Sequence, residues 1–211
     1  MIDVITAIND ALETTETVVR AVPADEWHRP TPCRDWDVLQ VTNHLVGGIR
    51  IFAAEVTGMP EVADHDSDWL GSDPVAAYVS AAAADKAAWR RPDCMRGTIT
   101  IGLGTMPAPL AAVIHLTEIL VHGVDIAVAI ERADIVDQHQ CVALLTAMQE
   151  MGGVDPYRVP GVFGPYIPAA ADDLPHRRLL TYLGRELPLH PAARPAPPPT
   201  LSAGTSTIDM P

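Results

Sequence analysis

The sequence has almost no lysine and little positive charge. Lys86 is the only lysine, and 14 lysines and arginines stand against 27 aspartates and glutamates, which gives a formal net charge of −13. Such a chain repels phosphate backbones and anionic lipid headgroups, because binding to either relies on basic side chains. The composition therefore argues against a nucleic-acid-binding protein and against a protein that binds membrane surfaces.

Cysteine pairs, a leader sequence and long apolar runs are also missing. The three cysteines, Cys33, Cys94 and Cys141, are odd in number and widely spaced, which favours a reduced protein without a disulfide framework. There is no run of about 18 uninterrupted apolar residues to predict a membrane span. The N-terminal residues lack the basic and apolar regions of a signal peptide. We therefore expect a cytoplasmic protein without a membrane partner.

Helical periodicity is what the sequence has in abundance. Ile8, Leu12 and Val19 share one face of a first helix. Asp35 and Asp73 suit the N-cap positions of the second and third helices, since a short acidic side chain can accept from free backbone amides there. The predicted helices span residues 2–20, 36–58, 74–91, 107–132, 137–151 and 175–184.

One segment alternates instead, which predicts a short strand before the fourth helix. In "GTITIGL", Ile99, Ile101 and Leu103 fall on one side of an extended chain. Thr105 and Pro107 then look like the start of the fourth helix. The fold class expected is all-α, with this strand as an exception.

The C-terminal part divides into an extended segment and a tail. "GVFGPYIPAAADDLP" reads as an extended stretch laid across the helices, before a short last helix. From Pro188 the chain is rich in proline and poor in bulky apolar residues, so we expect it to be disordered. The predicted organisation is a helical bundle over 1–187 and a tail over 188–211.

The fourth helix carries an unusual polar stripe. In "HLTEILVHGVD", residues 115–125, the side chains of His115, Glu118, His122 and Asp125 fall on one face of an otherwise apolar helix. Burying ionisable groups costs free energy unless a partner compensates them. Glu118 and His122 are four residues apart, so their polar ends can converge on one point.

A facing histidine completes a metal-binding pattern. His44 lies among apolar residues in "VTNHLVGGI" of the second helix, and Gly47 and Gly48 follow it, where a ligand or another backbone can approach closely. Two imidazoles and one carboxylate leave coordination positions open, as in catalytic metal centres. The alternative is that His44 is an ordinary hydrogen-bonded core histidine and that Glu118 and His122 form a simple helix pair.

Two segments resemble a known family. "WHRPTPCRDWDVLQVTNHLVGG" and "HLTEILVHGVDIAVA" are similar to the mycothiol-dependent maleylpyruvate isomerase family of the DinB-like superfamily, through a TPC-xx-W turn, a histidine eight residues after that Trp, and E-xxx-H-x-x-D. "FGPYIPAAADDLPHRRLLTYLGREL" resembles a compact actinobacterial branch without the isomerase's additional C-terminal domain. The resemblance covers about residues 5–188.

The resemblance implies an up-down-down-up four-helix bundle with a divalent metal, zinc first, held by His44, Glu118 and His122. It also implies mycothiol as cosubstrate, whose thiolate attacks an electrophilic carbon. In an S-transferase the adduct is kept, and in an isomerase the thiol is expelled again. The lysine-poor composition fits an actinobacterium that makes mycothiol. Since the isomerase's extra domain contributes to its substrate site, we expect a substrate other than maleylpyruvate.

The remaining polar residues of this region have alternative roles. His115 could orient Glu118, contact substrate or be a fourth ligand. We slightly favour the first two roles over a core histidine bonded to a backbone carbonyl. Asp125 could accept from a ligand imidazole or pair with Arg132 or another arginine. Cys33 lies eleven residues before His44 and is expected to be a packed thiol rather than a nucleophile. The family often has Trp where Gly123 stands, and the loss of that bulk would either open a pocket or change the local packing.

Three functions follow for this pattern. The first is a metal-dependent mycothiol S-transferase or isomerase that acts on a small electrophile. The second is a thiol-independent metal enzyme, such as a lyase, cyclase or hydrolase of a tailoring pathway. The third is a non-catalytic metal-binding bundle. The partners expected are a small-molecule substrate and a low-molecular-weight thiol, with a homodimer left open.

Overall fold

The computed structural model describes residues 3–59, 65, 67–159 and 161–187. Within these ranges the chain forms six α-helices and one two-stranded hairpin, so the all-α prediction is confirmed. The helices are α1 (Val4–Arg20), α2 (Val38–Thr57), α3 (Pro74–Trp89), α4 (Ala108–Ala129), α5 (Gln138–Glu150) and α6 (Pro175–Tyr182).

α2 begins later than the sequence predicted. Asp37, not Asp35, is its N-cap, and a capping box forms in which the Asp37 carboxylate accepts from the Gln40 N–H while the Gln40 side chain accepts from the Asp37 N–H. Asp35 instead has a φ of 70° in the turn before the helix. The prediction of Asp73 as N-cap of α3 is confirmed, since its carboxylate accepts from the Ala76 N–H.

The predicted strand is present, and it has a partner that the sequence analysis missed. β1 (Thr98–Ile101) pairs antiparallel with β2 (Gly104–Pro107). α4 therefore begins at Ala108, and the prediction that Thr105 starts the helix is wrong. Thr105 lies opposite Thr100, with their hydroxyls 2.9 Å apart. Leu103 lies in the turn and is exposed, so the apolar alternation ends with β1.

Four helices form the bundle. α1 packs against α4 and α3, and α2 packs against α3 and α4, so each helix has two neighbours. α4 is buried on almost its whole circumference. Its Gly123 lies against Thr15 of α1, where an added Cβ would come within 2.3 Å of the hydroxyl oxygen. The small residue therefore accommodates close packing between two helices and opens no pocket.

α4 is also long and apolar enough to cross a membrane by length and composition alone. Most of its surface is buried inside the bundle. The core helix of a bundle passes the same composition test, and here α4 packs against α1, α2 and α6.

The C-terminal elements cover one side of the bundle. α5 ends before Gly152 and Gly153, both of which have positive φ. An irregular segment from 161 to 174 leads into α6, which packs on α5 and α4. The predicted tail from 188 to 211 lies outside the described residues.

Candidate metal centre

The structure brings together three side chains from the two facing helices α2 and α4. The Nε2 atom of His44 lies 3.4 Å from Oε2 of Glu118, and the Nε2 atom of His122 lies 3.3 Å from the same oxygen. The two imidazole rings meet edge to face with their centroids 5.2 Å apart. These are the residues that the sequence analysis selected, and one nitrogen or oxygen from each lies within 4.8 Å of the others.

The spacing of these atoms suits a shared cation as well as it suits long hydrogen bonds. An N–H···O hydrogen bond usually measures about 2.9–3.0 Å, which is shorter than both contacts. Two ligands of a tetrahedral zinc ion, each bonded at about 2.0–2.1 Å, lie about 3.3 Å apart. A set of two imidazoles and one carboxylate at this separation can hold a divalent ion with positions left for further ligands.

The charges of the site are strongly coupled. Burial works against an ionised Glu118, but hydrogen bonds with His122 and His44 outweigh it and hold the pKa of Glu118 below its usual range. Burial likewise disfavours a protonated His122, but Asp125 and Glu118 outweigh it and raise the pKa of His122 to about 9. Without a metal, the site therefore favours a carboxylate that faces an imidazolium.

A second layer of side chains lies behind His122. Asp125 is fully buried, and its Oδ2 atom lies 3.2 Å from His122 Nδ1 and 3.5 Å from an Nη2 of Arg185. Asp125 therefore contacts both an imidazole and an arginine, the two side-chain partners left open for it. The arginine is Arg185 rather than Arg132, which pairs with Asp134.

Cys33 is nearer to this region than its position in the sequence suggested. Its sulfur lies 4.0 Å from an Nη2 of Arg185, and it forms a second potential donor group with His122 and Asp125. That group is a poor cation site, because the Arg185 guanidinium already supplies a positive charge there. Burial, followed by the charge of Asp125, raises the pKa of the Cys33 thiol to about 11, in keeping with the expected packed thiol.

His115 lies apart from the cluster, contrary to the role beside Glu118 that the sequence analysis favoured. Its Nε2 atom is 2.9 Å from the Asp85 carboxylate of α3, which also accepts from the Trp89 indole N–H. The His115 ring stacks on Phe52 with centroids 4.2 Å apart. His115 and Asp85 are both fully buried, so this is a core imidazole that is bonded to a carboxylate instead of a backbone carbonyl.

Aromatic rings flank His44 on its other sides. The Trp36 ring lies 4.6 Å from the His44 ring, and the His65 ring stacks on it at 4.9 Å. Trp69 covers Gly47, where a Cβ would meet the indole at 2.4 Å. We expected Gly47 to allow close approach of a backbone or a ligand. The group that approaches it is instead the Trp69 side chain, from the chain between α2 and α3.

Comparison with known proteins identifies the family. Residues 8–127, more than half of the chain, match the family model described as "Mycothiol maleylpyruvate isomerase N-terminal domain". The chain belongs to this family. All three residues of the candidate centre fall inside the matched region, whereas Arg185 lies beyond it.

Relatives of this family member include two uncharacterised proteins of Mycobacterium tuberculosis, MT0763 of strain CDC 1551 / Oshkosh and Rv0738 of strain ATCC 25618 / H37Rv. Each is 29% identical over 168 residues, which cover 78% of this chain and 87% of the relative. A crystal structure of the mycothiol-dependent maleylpyruvate isomerase aligns over 72% of both chains with a TM-score of 0.48 and 15% identity.

Two features of the site were not found from the sequence. Arg185 is one of thirteen arginines (14 basic residues less one lysine), and nothing in its local sequence marks it as buried. His65 lies in a polar loop without periodicity. The one sequence signal near Arg185 was the family resemblance of residues 163–187. That resemblance pointed to the segment as a whole and did not single out Arg185.

Proposed function

We propose that this protein is a metal-dependent mycothiol S-transferase or isomerase that acts on a small electrophilic substrate. The observation that carries the proposal is the convergence of His44, Glu118 and His122 on one point at ligand-to-ligand spacing. Family membership supports mycothiol as the thiol. We propose that these three residues hold one divalent cation, with zinc as first choice.

Each residue has a defined part in holding the ion. His44 and His122 offer neutral Nε2 lone pairs, and Glu118 offers a carboxylate whose depressed pKa keeps it ionised. Asp125 accepts a hydrogen bond from the Nδ1–H of neutral His122, which leaves the Nε2 lone pair free to coordinate. One carboxylate and two neutral imidazoles leave a dication with net positive charge. Such an ion would lower the pKa of a thiol and supply a nucleophile near neutral pH.

The site is partly open to solvent, so small molecules can reach it. The side chain of Glu118 is 36% exposed and that of His44 is 25% exposed, whereas the side chain of His122 is 7% exposed. Half-buried Trp36 adds an apolar face beside both histidines, with centroid distances of 4.6 and 6.0 Å. A thiol and an electrophile that meet here are held between this face and the polar donors.

The test measures conjugation of mycothiol, or a truncated analogue, to a panel of reactive electrophiles with and without a chelator. We expect metal-dependent rates above the uncatalysed reaction. His44→Ala should abolish them, and Glu118→Gln should lower them only in part, since an amide oxygen still coordinates weakly. His139→Ala removes a fully exposed histidine and is the matched control.

Two results would redirect the proposal. Metal-loaded protein whose rates equal the uncatalysed reaction on every electrophile would favour the thiol-independent metal enzyme. Elemental analysis that finds stoichiometric metal in His122→Ala, a variant expected to keep its helicity, would show that the ligand assignment is wrong.

A further inference from the structure

The C-terminal segment reaches the candidate metal centre through one buried arginine. α6 ends in a Schellman motif, in which the Arg185 N–H donates to the Leu180 carbonyl and the Gly184 N–H donates to the Thr181 carbonyl, both at 3.0 Å. Gly184 has a φ of 82°, and a Cβ there would lie 2.4 Å from the Gly164 carbonyl carbon. Both constraints require glycine at 184, and they fix the point from which the Arg185 side chain leaves the helix.

From that point the Arg185 side chain is directed into the protein. Arg185 is 9% exposed, and its guanidinium lies between the Asp125 carboxylate and the Cys33 sulfur. Oδ2 of Asp125 faces both this guanidinium and His122 Nδ1, whereas Oδ1 is buried and has no hydrogen-bond partner among the described residues. The orientation of the carboxylate therefore depends on two groups, one of which comes from the C-terminal segment.

We infer that Arg185 is a positioning residue for the metal centre, which holds Asp125 so that the His122 ring presents Nε2 toward Glu118 and His44. The inference rests on the proposed function only in taking His122 Nε2 as a ligand. Without the guanidinium, Asp125 would be a buried carboxylate with one remaining partner. The Asp125 carboxylate could then rotate and turn either oxygen toward other donors. The His122 ring, which is hydrogen-bonded to that carboxylate, would lose its fixed orientation.

A purely structural role for Arg185 predicts different behaviour, and the chain offers a matched control. Arg158 is also largely buried and ties the same segment together, because its guanidinium donates to the carbonyls of Gly164 (2.7 Å) and Tyr182 (2.9 Å). Its ion pair is with exposed Asp155, away from the cluster. Removal of Arg158 therefore tests the integrity of the segment without removing a partner of Asp125.

The experiment compares zinc affinity, by chelator competition at pH 7, 8 and 9, in full-length Arg185→Met, Asp125→Asn, the double variant and Arg158→Met. Asp125→Asn should weaken zinc binding by about 10–100-fold, and Arg185→Met by about tenfold. In the Asp125→Asn background, Arg185→Met should cause no further loss, because the two residues act through one contact. Arg158→Met should bind zinc within about twofold of wild type, and Arg185→Lys should recover part of the loss.

A spectroscopic reading separates orientation from stability. With Co²⁺ as the bound ion, the ligand-field bands should shift in Arg185→Met and stay unchanged in Arg158→Met, even if both variants melt at lower temperatures. Equal losses of zinc affinity in the two arginine variants, or fully additive losses with Asp125→Asn, would overturn the inference. Wild-type protein that binds neither ion would overturn the proposed function itself. If Arg185→Met does not fold, the Arg185→Lys spectrum decides, and a wild-type spectrum with wild-type affinity would contradict the role.

Discussion

His122 presents its two ring nitrogens to two different carboxylates. Nε2 faces Glu118, and Nδ1 faces Asp125, at 3.3 and 3.2 Å. In metal-free protein this arrangement favours the imidazolium, whose two N–H groups each meet an anion. Because its pKa is raised to about 9, His122 stabilises the metal-free fold below about pH 6.5, and this contribution is lost as the pH rises through about 9.

Metal binding should therefore release a proton. At pH 7.5 most metal-free His122 carries the proton that a zinc ion must displace, so we expect about one proton released per ion and an apparent affinity that rises about tenfold per pH unit up to about pH 9. Titration calorimetry in two buffers of different ionisation enthalpy counts the protons. Asp125→Asn, which removes the largest favourable contribution to the raised pKa, should release fewer. Heats that do not depend on the buffer would contradict the pKa of His122.

At the scale of elements, the packing of α1 against α4 depends on one glycine. A Cβ at Gly123 would lie 2.3 Å from the Thr15 hydroxyl oxygen and 3.1 Å from its methyl carbon. Thr15 is itself buried, and its hydroxyl donates to the Ile119 carbonyl at 3.4 Å, one turn before Gly123. A larger residue at position 123 would therefore push Thr15 and α1 away from the helix that carries Glu118 and His122.

Gly123→Ala should destabilise the protein. The steric cost of about 1–3 kcal/mol exceeds the gain of about 0.5–1 kcal/mol that alanine brings to a helix interior. Urea denaturation should show the loss. Adding Thr15→Ala should restore most of it, because that change removes both nearest atoms. If the double variant is no more stable than Gly123→Ala alone, the close contact is not the cause.

Helical spacing could predict which residues share a face, but not which neighbours they meet. The spacing predicted that Glu118 and His122 converge, and the apolar neighbours of His44 predicted that His44 faces the core. The same spacing put His115 beside them, where the structure instead pairs it with Asp85, a residue of α3 thirty positions away. Contacts between helices depend on packing that no local pattern encodes.

The buried position of Arg185 could not be predicted from the sequence for a related reason. Arg185 lies 60 residues from Asp125, and its direction comes from the left-handed turn at Gly184. β2 was missed because "GTMP" has no alternation of its own and is defined by its pairing with β1. The all-α class was predictable, since it rests on periodicity within single segments.

For the whole molecule, the described C-terminal segment belongs to the bundle. Leu179, Leu180 and Leu183 are fully buried, and Leu187 packs against the core. Beyond Leu187 the sequence offers little apolar surface that could be buried.

Two truncations should differ sharply. Protein that ends after Leu187 should keep the melting temperature and zinc affinity of the full chain, because residues 188–211 carry few bulky apolar side chains. Protein that ends after Gly184 lacks Arg185 and should bind zinc more weakly. Differential scanning calorimetry and chelator competition compare them. A fall of many degrees in the first truncation would show that the tail packs against the bundle.

The proposed ligands on α2 and α4 would also close a long loop in the chain if they held one ion. His44 and Glu118 are 74 residues apart, and the segment between them contains α3 and the hairpin, whereas α1 and α6 lie outside it. An ion bound by both helices opposes every opening that separates them and leaves unaffected any opening that does not. Amide hydrogen exchange should therefore slow on zinc addition wherever exchange requires α2 and α4 to part. Amides that exchange by local fraying, such as those at the tip of the hairpin, should keep their rates.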